Sequence, residues 1–126
     1  MTTVLQNKPS TEAATIAAQN DAFRKSIMFF NDAEVTPKGQ FVMTSGVAAL
    51  GPDARLAATR QVAAFEAFTP DKDPHGWHEF GAVEVFGTTI WFKVDLYDVN
   101  YEMGADVPTD PEQTRRVLTL LLPSEY

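Results

Sequence analysis

A chain of 126 residues, 44% hydrophobic and 11% aromatic, has the size of one domain and enough apolar volume for one packed core, which excludes wholesale disorder. Its 17 Asp and Glu against 10 Lys and Arg give a net charge of −7, the opposite of what phosphate neutralisation needs, so direct nucleic-acid binding and adhesion to an anionic membrane are disfavoured. The absence of cysteine excludes disulfide scaffolds, thiolate zinc sites and cysteine nucleophiles, and no apolar run reaches the ~18 residues of a membrane span.

Residues 1–9 read as a flexible leader without the charged and apolar regions of a secretory signal, so a cytoplasmic location is expected. Ser10 is placed to cap a helix running through Glu12 to about Ile27. Ile16, Phe23 and Ile27 share one face of it, and Asn20 interrupts the stripe. Residues 31–39 carry Asn, Asp, Pro and Gly and form a connection; residues 41–45 then make a short strand closed by Gly46. Gly51-Pro52-Asp53 opens a second helix, with Ala54, Ala58, Val62 and Phe65 at helical spacing and Thr69-Pro70 ending it. Residues 71–81 are dense in Asp, Pro, Gly and His and form a loop.

Residues 82–86 and 89–97 flank Gly87-Thr88, a pair suited to a type II′ hairpin turn with Gly first. In the second of these strands Ile90, Phe92, Val94 and Leu96 face the core, and Trp91, Lys93, Asp95 and Tyr97 face the other way. Asp110-Pro-Glu-Gln has helix-start chemistry, and the apolar run 117–122 fits either a buried helix or a buried strand. We take one helical turn near Pro111, then a strand over about 116–122. The expected architecture is a single α+β domain over residues 10–126. It is a mainly antiparallel sheet of about four strands with two helices packed on one face.

Several separated blocks occur in a fixed order: Asn20-Asp-Ala-Phe-Arg, Thr44-Ser-Gly-Val-Ala-Ala-Leu, Phe68-Thr-Pro-Asp-Lys-Asp-Pro-His-Gly-Trp-His-Glu-Phe-Gly, Phe92-Lys-Val-Asp-Leu-Tyr-Asp and Asp110-Pro-Glu-Gln-Thr-Arg-Arg-Val-Leu-Thr, closed by Glu125-Tyr126. From Asn20 to Tyr126 the chain resembles the bacterial domain-of-unknown-function family DUF3768, frequent on alphaproteobacterial plasmids and other mobile elements. Trp77 departs from the acidic or polar residue that this resemblance leads one to expect before His78, so no polar role is implied there. The resemblance carries no catalytic residue; what it implies is a gene that travels with plasmids or phages.

Three constellations bear on chemistry. Asp71, Asp73 and Gly76 begin like a calcium loop, but Ala82 stands where a bidentate Glu is needed. His75 and His78 with Asp71, Asp73 or Glu79 have a spacing that permits zinc, and either His with Lys93, Asp95 or Glu79 permits acid–base work. Against these stand turns in which Asp bonds its own backbone, and an ordinary surface ion pair. Accordingly no catalytic residue, metal or cofactor is assigned. The third is an acidic band: between Lys93 and Arg115 there is no Lys or Arg, while Asp95, Asp98, Glu102, Asp106, Asp110 and Glu112 recur.

The expected function is that of a non-catalytic acidic protein-interaction module, with Asp95, Asp98, Glu102, Asp106, Trp91 and Tyr101 as partner-binding residues. The mobile-element context implies a counter-defence role of the anti-CRISPR or anti-restriction type, the partner being a basic nucleic-acid-binding host complex. A small metal-dependent or His-based hydrolase centred on the 71–79 loop is the alternative. A homodimer through the aromatic hairpin is a third.

Overall fold

A computed structural model describes residues 11–28 and 37–126. The 1–9 leader, the Ser10 cap and most of the 31–39 connection lie outside the described residues. Helix α1, Thr11–Ser26, buries Ala13, Ile16, Ala17, Asn20, Phe23 and Arg24, a three-and-four spacing that lays one stripe against the sheet. Strand β1 is Gly39–Met43. It begins earlier than expected and stops before Ser45, because Ser45 opens the single-turn helix α2, Ser45–Ala48. The Thr44 side chain caps that turn by accepting from the Val47 amide.

Helix α3, Pro52–Ala64, starts on Pro52 as expected but ends well before Thr69. Phe65 is extended rather than helical, and its ring packs edge-on to Phe92 at 5.2 Å. The Val62 and Ala63 carbonyls that a continuing helix would use accept instead from Arg24 Nη1.

Strands β2, Phe80–Val85, and β3, Thr88–Tyr97, form the hairpin. Val85 pairs with Thr88, so the turn residues are Phe86 and Gly87 rather than Gly87 and Thr88. Both have positive φ, 50° and 83°, the pattern of a type I′ turn and not of the expected II′. Residues 110–113 make a turn only. Asp110 accepts from the Glu112 amide, its carbonyl takes the Gln113 amide, and the chain passes directly into β4, Arg115–Leu121. The ambiguous apolar run is therefore a strand. A short 3-10 turn, Pro123–Glu125, closes the chain.

The sheet order is β1-β4-β3-β2. Two of its three pairings are antiparallel, and β1 runs parallel to β4, so the expected mainly antiparallel α+β sheet forms, as a mixed one. The long helices α1 and α3 cover one face, where Ile90, Phe92, Leu118 and Leu120 are fully buried against Ala58 and Val62; each such large side chain contributes about 1.5–3 kcal/mol by leaving water. The opposite face, carrying Trp91, Lys93, Asp95 and Tyr97, has no long helix over it among the described residues and is only half-buried. No helix among the described residues is long and apolar enough to cross a membrane.

Candidate functional site

The 71–79 loop is held to α1 by a chain of hydrogen bonds. Arg24, 1% exposed, donates to Asp21 at 2.6 Å. Asp21 receives the His78 ring through Nδ1 at 2.9 and 3.0 Å. A carboxylate can only accept, so Nδ1 carries the proton. The imidazole stacks on Phe68 at 4.1 Å with an interplanar angle of 1°, and the Arg24 guanidinium sits 5.3 Å over the same ring. His78 has φ +57°, a left-handed conformation kept in place by the Asp73 carboxylate, which accepts from its amide.

The two histidines are thus separated. His75 packs against Trp77 at 5.7 Å and borders a cavity with Glu79, Lys93 and Asp95. Asp71 accepts from the Thr69 hydroxyl, and that bond holds its carboxylate below the usual range. Among the described residues no three His, Asp or Glu side chains converge as a metal site requires.

Of the acidic band, Asp95 pairs with Lys93 at 3.0 Å on the uncovered sheet face. Among the described residues the other five carboxylates make no ion pair. Asp98 accepts from the Asn100 and Glu102 amides, and Asp110 from the Glu112 amide, so these two fix the loop. Arg115 and Arg116, the nearest arginines in sequence, form no ion pair with the band's carboxylates. Arg115 donates to the Pro111, Glu112 and Thr114 carbonyls, and Arg116 turns into the core.

The loop over 98–114 is further tied down by the Ala105 amide to the Leu96 carbonyl, Gln19 to the Thr109 carbonyl and Thr114 to the Val107 carbonyl. Between its carboxylates stand Val99, Met103 and Val107, 43%, 69% and 46% exposed. The two expected aromatic anchors lie apart. Tyr101 packs on Tyr97 at 6.5 Å beside the band, whereas Trp91 lies between Phe80 and the C-terminal Tyr126, at 5.3 and 5.6 Å.

Sequence reasoning missed a buried polar lock. Arg116 is 0% exposed, donates from Nε to Asn20 at 2.7 Å and from Nη2 to Gln19 at 3.0 Å. Asn20 in turn donates to the Trp77 carbonyl. Burial pulls the Arg116 pKa down to about 10, so it stays charged at neutral pH. The signal was present: Asn20 breaks an apolar helix stripe and Arg116 an apolar strand, and the two exceptions satisfy each other.

A family model described as a protein of unknown function (DUF3768) matches residues 43–125. No curated protein and no solved structure matches the chain.

Proposed function

Since the chain belongs to the DUF3768 family, which brings no activity with it, its own surfaces must supply the function, and we propose that it is a non-catalytic protein-interaction module whose 98–114 loop grips a basic partner. The observation that carries this is the pairing of unneutralised charge with exposed apolar groups on one braced loop: Glu102, Asp106 and Glu112 lack ion-pair partners among the described residues, and Val99, Met103 and Val107 stand among them. Acidic groups steer and orient a basic partner, the apolar side chains supply the area that leaves water on contact, and a loop already held by its own hydrogen bonds loses little freedom on binding. Long ordered loops of this kind are typically functional.

The proposed partner is a basic nucleic-acid-binding complex of a bacterial host, which the band engages as spaced phosphates would, and the proposed setting is counter-defence in the cytoplasm on behalf of a mobile element. The resemblance to a plasmid-borne family motivates that setting. The test is capture from a host carrying such complexes, using the wild type and Glu102→Lys/Asp106→Lys/Glu112→Lys. The expected result is a partner that competing DNA displaces and that the reversed chain does not retain. Equal capture by both chains refutes the mechanism.

A further inference from the structure

We infer that the cavity between the 71–79 loop and β3 is a binding site for an alkylguanidinium or alkylammonium group. Its volume is about 290 Å3, and Asp73, Glu79, Phe80, Lys93, Asp95 and Tyr126 are among the residues that line it. Small-molecule pockets run upward from about 300 Å3, so this one takes a side-chain-sized group rather than a nucleotide or a large cofactor.

The charges around it are unequally matched. Asp95 is paired with Lys93 at 3.0 Å. Asp73, its side chain 7% exposed, is occupied by the His78 amide. Glu79 is different: among the described residues its carboxylate has no hydrogen-bond donor and no ion-pair partner, and only its backbone carbonyl is used, by the Val94 amide. Partial burial raises its pKa, with His75 opposing and Asp73 and Asp95 reinforcing that shift.

An acceptor left empty in a cavity, within the field of two more carboxylates, is complementary to a cation bearing N–H donors. An anionic ligand would bring a like charge beside Glu79; of the two lysines that line the cavity, Lys72 and Lys93, the one on β3 is already engaged by Asp95. Phe80 and Tyr126 offer apolar surface for the methylene stem behind such a group. The site deepens the interaction function proposed above, on which its assignment to a partner protein rests, because a basic partner carries this group on every Arg and Lys. A free organic cation offers the same chemistry.

The test is a titration of the full 15N-labelled chain with ethylguanidinium chloride, butylammonium chloride and the capped tripeptide Gly-Arg-Gly, against sodium chloride at matched ionic strength. Saturable shifts are expected at the amides of Glu79, Phe80 and Asp95. Glu79→Gln should weaken ethylguanidinium binding about tenfold, the loss of one charge-assisted contact. Glu102→Lys/Asp106→Lys should leave it within about twofold, since screening limits charges at a distance.

Tripeptide binding at least as tight as ethylguanidinium assigns the site to a protein side chain. Binding of the free cations alone upholds the site and assigns it to a small molecule. Shifts that do not saturate or that sodium chloride reproduces overturn the inference, as does a Glu79→Gln chain that binds as the wild type does. Failure here leaves the acidic-band mechanism standing, and unaltered partner capture after band reversal leaves this cavity standing.

Discussion

Two single residues carry conformations or charge states that their surroundings disfavour. Phe86 is 77% exposed and has φ +50°, so an aromatic side chain occupies a left-handed turn position without burying its ring. Left-handed backbone costs an ordinary L-residue about 1–2 kcal/mol, and Asn-Gly is the preferred pair for this turn. Phe86→Asn should therefore raise stability by about 1 kcal/mol in urea denaturation, with Gly87 (φ +83°) unchanged. Glu79 is the second. Its pKa is raised in the folded chain, so the folded state holds its proton to higher pH than the unfolded state does. Stability from this group is complete below the ordinary carboxylate value of 4.5 and is lost as pH rises through the raised value. Glu79→Gln should be more stable than the wild type at neutral pH, and the advantage should vanish in acid. Melting curves across pH 3–8 check the sign, and a constant advantage at every pH contradicts it.

Between elements, specificity comes from polar groups placed within an apolar core. The Arg116–Asn20 bond joins β4 to α1, and among the described residues Arg116 Nη1 and Arg24 Nε have no hydrogen-bond partner. Such a lock is weak evidence of net stability but costly to break by halves. Asn20→Ala should cost about 1.5–3 kcal/mol, the range for a hydrogen bond to a buried charge, whereas the double change Asn20→Leu/Arg116→Met should recover most of that. If the double variant is as unstable as the single one, local packing rather than the unpaired charge is responsible. In β2, a Cβ at Gly81 would lie 2.4 Å from the Phe92 ring, so only glycine lets the hairpin close on that side chain. Gly81→Ala should cost about 1–3 kcal/mol through displacement of Phe92, read as a lower urea midpoint with an unchanged slope.

At the scale of the molecule, the tail completes the fold. Glu125 accepts from the Thr44 hydroxyl and the Gly46 and Leu122 amides, fastening the chain end to the start of α2, and these bonds lower its pKa. A depressed carboxylate lends stability above the unfolded value and loses it as pH falls through the folded one; Glu125→Gln should narrow the difference in melting temperature between pH 7 and pH 3. The band behaves otherwise. Its carboxylates outside Asp95 lack ion pairs among the described residues, so Glu102→Lys/Asp106→Lys/Glu112→Lys should leave the melting temperature essentially unchanged while altering partner capture. A large loss of stability would mean that these side chains serve the fold rather than a partner.

Period-two alternation in 89–97 and three-and-four spacing in α1 and α3 were legible because both patterns are local. Burial of alternate side chains follows from backbone geometry alone. The α+β class followed from them, and the acidic band was visible because charge is additive along a chain. Early termination of α3 was not legible, since it depends on Arg24 arriving from another helix to take the Val62 and Ala63 carbonyls. Nor was the parallel β1–β4 pairing, which joins residues about 77 positions apart in sequence (Gly39 to Arg116). The sharing of functional residues was likewise a tertiary decision. The sequence put His75 and His78 three positions apart in one loop, yet the fold turns one toward Asp21 and the other toward the Glu79 cavity. Sequence by itself determined which residues prefer to leave water and where charge accumulates; only the closed fold decided which polar groups satisfy one another, because that depends on partners brought together by long-range packing.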